Sequence, residues 1–133
     1  MPTRPKLATA TIDDLLLKPS RTRKWVVGIP DEKGDVRQVE LSLTALSARE
    51  YDELMGEHPP TKTQKEEDGA GYNPDTFAPA LIAAVLSEPK LTVEQATEIW
   101  TGKTWNRGEL RDLFMACVNL CSQGLDVPFT PPA

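Results

Sequence analysis

The sequence predicts an α+β fold: a mainly helical single domain with an N-terminal two-stranded antiparallel hairpin packed on about four helices. Three observations predict it. Alternating apolar residues flank one turn-rich hexapeptide near the start of the chain. Everything after that hairpin changes period, with apolar residues three and four apart behind recognisable helix caps. The length of 133 residues fits one domain with a core of its own.

Residues 1–10 read as a disordered arm, with Pro2, Pro5 and little to bury. A domain is expected over 11–126. Thr11 can cap a short helix whose apolar side is Ile12, Leu15 and Leu16; Asp13 and Asp14 suit its positive end, and Pro19 stops it. Trp25, Val27 and Ile29 then alternate along one strand, and Val39, Leu41 and Leu43 along the next. Pro30 to Asp35, between them, has turn composition. A lone hairpin is marginal, so its apolar face must lie on helices or on another copy's sheet.

Ser47 and Glu50 form a capping box, with Leu46 and Tyr51 at the staple positions; Tyr51, Leu54 and Met55 share a face, and His58-Pro59-Pro60 ends that helix. The stretch 58–73 has almost nothing to bury and reads as a mobile loop, long enough to be either functional or a missed element. Thr76 is expected to cap the next helix, with Pro79 in its first turn. Phe77, Leu81, Ala84 and Val85 form one stripe and Ile82 with Leu86 a second, so this helix should be the buried one, closed by Pro89. Thr92 with Gln95 opens another, carrying Val93, Ala96, Thr97 and Trp100, and Gly102 suits a left-handed terminus. In the last helix Asn106 caps, Glu109 answers it, and Trp105 and Leu110 take the staple positions. Leu110, Leu113, Phe114, Cys117, Leu120 and Cys121 are expected to line one face; Gly124 is expected to end the helix, after which Leu125 can pack back on Leu120. Residues 127–133 read as an extended proline-rich tail.

The net charge of −5 is uneven: residues 1–40 hold eight Lys/Arg against six Asp/Glu, and the rest hold seven against fourteen. So acidic a body is a poor partner for nucleic acid, whose binding draws on cationic contacts. Lys18, Arg21, Arg23 and Lys24 make a short basic patch that reads as a solvated strand edge. No apolar run approaches the ~18 residues of a membrane span, and no signal-peptide core precedes the body. The expectation is a cytoplasmic protein with reduced thiols at Cys117 and Cys121.

No catalytic, cofactor or metal constellation is expected. His58 is the single histidine and has no sequence-local partner for a triad. Cys117 and Cys121, four apart on an apolar face, read as core rather than half a zinc site. Glu66-Glu67-Asp68-Gly69 lacks the alternating ligands of a calcium loop, and Gly69-Ala70-Gly71 lacks the lysine and strand of a phosphate cradle. The aromatic residues carry more information. Trp100, Trp105 and Phe129 are the candidate partner-binding residues, because tryptophan anchors interfaces and a proline-flanked aromatic can dock in extended form. The more ordinary role for Trp100 and Trp105 is to fill core or staple a helix, and Phe129 can fold back on its own domain.

Seven segments in order carry a resemblance. They are Leu41-Ser-Leu-Thr-Ala-Leu; Arg49-Glu-Tyr-Asp-Glu-Leu with His58-Pro-Pro; Tyr72-Asn-Pro-Asp-Thr-Phe-Ala-Pro-Ala-Leu-Ile-Ala-Ala; Glu88-Pro; the Thr92 to Trp100 helix; Gly108-Glu-Leu with Leu113-Phe114; and Val127-Pro-Phe. Across 41–129 the chain resembles the tail assembly chaperones of siphophages, particularly those infecting actinobacteria. The resemblance implies a non-enzymatic protein of the host cell cytoplasm that binds the tape measure protein. It would keep that long helical chain soluble, help recruit the tail tube (major tail) protein, self-associate, and be absent from the mature virion. Many relatives also exist as a frameshifted longer form. The alternative is a minor structural tail or head–tail joining protein retained in the virion.

Overall fold

A computed structural model describes residues 8–102 and 104–123. Residues 8–10 form neither helix nor strand. Gly124, Leu125, Phe129 and the expected tail lie outside the described residues. The elements run α1 (Ile12–Leu16), β1 (Thr22–Pro30), β2 (Val36–Thr44), α2 (Ala48–Gly56), α3 (Lys62–Asp68), α4 (Pro74–Val85), β3 (Leu86–Glu88), α5 (Val93–Trp100) and α6 (Arg107–Ser122). The architecture is α+β, mainly helical.

The hairpin is in the expected place, with Trp25 opposite Leu41 and Val27 opposite Val39. The sheet, however, has three strands rather than two, in the order β1-β2-β3. Leu86, expected on the helix, is extended at φ −69° and ψ 109°, and β3 pairs antiparallel with β2 through Ser42 and Leu43. Its polar side is knitted by hydroxyls: Thr44 Oγ1 donates to Ser87 Oγ at 2.9 Å, and Ser87 Oγ donates to the Ser42 carbonyl at 3.0 Å. Ladder and hydroxyl bonds to β2 outweigh one more helical residue, because buried backbone groups must find partners.

Two further corrections concern 58–76. The stretch expected to be a mobile loop contains α3, closed by a capping box between Thr61 and Gln64 and by Gly69 at φ 63°. It buries no residue, so apolar periodicity could not reveal it. Gln64 Nε2 donates to Asn73 Oδ1 at 3.1 Å, and the Asn73 amide donates to the His58 carbonyl at 2.8 Å, tying both ends of the segment together. Asn73, not Thr76, caps α4: its side chain accepts from the Asp75 amide, and Pro74 takes the first helical position. Pro79 therefore stands inside the helix rather than in its first turn, and the bond it cannot make belongs to the carbonyl of exposed Asp75.

α4 is the central helix. Every residue from Phe77 to Val85 except Ala84 is buried. It packs against α2, α5, α6 and β3, and α6 lies against β2. Leu43, Phe77, Leu81, Val85, Leu110 and Cys117 are fully buried. Each large apolar side chain of this kind contributes about 1.5–3 kcal/mol by leaving water.

Candidate functional site

The two described candidate anchors flank the turn between α5 and α6. Gly102, at φ 80°, donates its amide to the Ile99 carbonyl at 3.0 Å and releases the chain from α5. Asn106 then restarts it, accepting from the Glu109 amide at 2.8 Å while Glu109 accepts from the Asn106 amide at 3.0 Å. Trp100 is half-buried. Its ring meets Phe114 edge-on at 5.8 Å, and the Arg107 guanidinium lies 5.1 Å over it. Trp100 is thus a core-edge residue under a cationic cover.

Trp105 is also half-buried and packs against the core, yet it lines an open hollow of about 260 Å³. The other walls are Val27, Gly28, Ile29 and Pro30 of β1, with Thr104 and Glu109. Trp100 does not line this hollow, so the structure separates the two tryptophans. Phe129 lies outside the described residues. The hollow is an apolar cleft with one carboxylate at its rim, suited to an inserted apolar side chain beside a cation. Alternation in β1 marked Val27 and Ile29 as facing inward, but their approach to Trp105 depends on the sheet lying across the start of α6.

Among the described residues, the most exposed large apolar side chains are on α1 and its C-cap, Leu17. Ile12, Leu15, Leu16 and Leu17 are each at least 72% exposed. The helix has its capping box, Thr11 with Asp14, but buries nothing. Val26, Ile29 and Val36 on the hairpin, Val93 on α5 and Met115 on α6 are exposed as well. A second hollow, of about 420 Å³, lies where Lys18 to Arg21 pass Ala45 to Ala48 and the end of α6. There the Arg21 guanidinium donates to the Gln123 carbonyl, placing a cation at the negative end of α6.

Cys121 lines the second hollow with Lys18 and Arg21, whereas the hollow at Trp105 holds Glu109 as its one ionisable side chain among the described residues. Cys117 is fully buried, and desolvation, with Cys121 beside it, pushes its thiol up to about 12. Burial also raises Cys121, partly offset by the Leu46 amide, which donates to its Sγ at 3.4 Å. Burial raises Tyr51, against the lowering effect of Ser122. His58 is half-buried with its ring 6.2 Å from Phe77. Glu66, Glu67 and Asp68 stand on α3. Among the described residues, no three His, Cys, Asp or Glu side chains are grouped to hold a metal ion, and no helix is long and apolar enough to cross a membrane.

Comparison with protein-family models, curated proteins and solved structures found no match to this chain.

Proposed function

We propose that this protein is a tail assembly chaperone of a long-tailed bacteriophage. It binds the tape measure protein in the host cytoplasm, keeps it soluble, helps recruit the tail tube protein, and departs before the particle is finished. The ordered run of segments from Leu41 to Phe129 that resembles this family carries the proposal.

The surface supports it physically. A chain that will line a tube exposes apolar helical faces until assembly, and its chaperone must cover them reversibly. Ile12, Leu15, Leu16 and Leu17 offer apolar area that the domain itself leaves unused. The hollow at Trp105 offers a place for one large side chain, with Glu109 to meet a neighbouring lysine or arginine. Modest affinity at each copy, multiplied along a long partner, gives avidity without making release slow. The negative charge of residues 41–133 keeps such a surface from aggregating.

The test is co-expression of the tape measure protein with and without this chain, followed by affinity capture. The tape measure protein should move into the soluble fraction and be retained with the chaperone. Trp105→Ala should weaken retention while leaving the fold intact. A folded sample that neither solubilises nor retains its partner would sink the chaperone assignment. So would mass spectrometry showing the chain as a constituent of purified virions.

A further inference from the structure

We propose that β1 is a self-complementary edge through which two copies of this chain pair antiparallel, joining their sheets across a two-fold axis centred on Val26. The inference rests on sheet order, ladder phase and charge, and stands independently of the chaperone assignment.

β1 is an outer strand, since the order is β1-β2-β3, and it is nine residues long. The phase of its ladder is fixed at both ends. The Ala45 amide donates to the Arg21 carbonyl at 2.8 Å, and the Asp31 amide donates to the Asp35 carbonyl at 2.8 Å. The register between them is unbroken, so the odd-numbered residues of β1 exchange bonds with β2. The amides and carbonyls of Thr22, Lys24, Val26 and Gly28 therefore point away from the sheet. None of these amides donates to another backbone group among the described residues.

Natural edges are commonly guarded by lysine, proline or a bulge. Here the guards are missing or turned aside. Lys24 Nζ reaches back across the sheet to Ser42 Oγ at 2.8 Å instead of standing over the edge. Pro30 is the last residue of the strand, where its absent N–H removes only a terminal bond. The irregularity in the sheet lies between β2 and β3, leaving β1 regular. Val26, at the middle of the edge, is 57% exposed.

Charge selects the occupant. The approach to β1 is basic, with Arg21, Arg23 and Lys24, and its exit is acidic on balance, with Asp31, Glu32 and Asp35 against the single Lys33. Parallel pairing would align like charges. Antiparallel pairing about Val26 sets Arg21 opposite Asp31 of the second copy and places Arg23 diagonally beside it. It also brings Trp25 next to Val27 and Val26 next to Val26. The strand is thus complementary to its own reverse.

The experiment is sedimentation velocity of the full chain over a concentration series. A reversible dimer is expected, weakening as salt rises because the charged pairs are exposed. Val26→Pro removes only an outward-facing amide and should raise the dissociation constant at least tenfold without changing the circular dichroism spectrum. Arg21→Glu with Arg23→Glu should weaken the dimer similarly, and adding Asp31→Arg, which reverses the carboxylate set against them, should restore it. A chain that stays monomeric to about 1 mM, the weak end of specific association, overturns the pairing. So does a folded Val26→Pro variant that dimerises as before. If that variant does not fold, failure of the second charge reversal to rescue the first overturns it.

Discussion

Phe77 organises the aromatic core. Tyr51 and Phe114 meet it edge-on at 5.9 and 6.2 Å, Tyr72 leans on it at 4.8 Å, and His58 stands at 6.2 Å. These contacts join α2, the two ends of the 58–73 segment, and α6 to α4. Phe77→Ala would leave a cavity among all of them and should cost about 3–5 kcal/mol, a large share of a marginal domain's stability. Urea unfolding should show a much lower midpoint with little change in slope. Cys117 gives a prediction in pH. Its folded thiol is held up to about 12, whereas the unfolded chain releases that proton near the ordinary 9.0. Between those values the unfolded state holds fewer protons, so stability present below pH 9 is lost as pH rises, by up to about 1.4 kcal/mol per unit. Cys121 and Tyr51, also raised, act in the same direction. Denaturation midpoints from pH 8 to 11 should fall, and Cys117→Ala should flatten the decline. An unchanged slope in that variant would contradict the assignment.

Helix ends were the most legible feature at the element scale. Ser47/Glu50, Thr92/Gln95 and Asn106/Glu109 form the boxes that their spacing predicts, because a cap is satisfied within four residues and needs no distant partner. Thr61/Gln64 has the same spacing, but no apolar run stands behind it to mark a helix. β3 was hidden for the opposite reason: Leu86 fits the apolar stripe of α4, and only the vacant side of β2 makes it extended. The start of α4 was legible in Asn73-Pro74, yet Thr76 and Pro79 offered a competing beginning. At the candidate site, the buried sides of Trp100 and Trp105 could be anticipated from their staple and stripe positions. The hollow joining Trp105 to Ile29 could not, since those residues belong to elements far apart in sequence. This difference between local and long-range support is measurable. Asn106→Ala, at the head of a helix with six buried residues, should lower global stability by about 1 kcal/mol. Thr61→Ala should release α3 alone, because α3 buries nothing. Hydrogen exchange should speed up over 62–68 with the core amides nearly unaffected.

At the scale of the whole molecule, the apolar residues that make the fold and those available for partners occupy different places. The core is gathered by α4, α6, β2 and β3, whereas the leucines of α1 stand in front of the domain with at least 72% of their surface in water. Their attachment is a short segment from Leu17 to Arg21, held where Ala45 bonds to Arg21 and where Arg21 reaches the end of α6. If this helix served stability, removing its apolar side chains would weaken folding; if it serves binding, folding should be indifferent. Leu15→Ser with Leu16→Ser removes two aliphatic side chains that bury almost nothing, so the change in unfolding free energy should stay within about 0.5 kcal/mol, as for ordinary surface substitutions. Capture of the tape measure protein should nevertheless fall, since these residues supply apolar area only when a partner covers them. Thermal unfolding and the co-expression capture, run on the same preparation, separate the two roles. A marked loss of stability would mean that α1 packs onto the body, and unchanged capture would remove it from the binding surface.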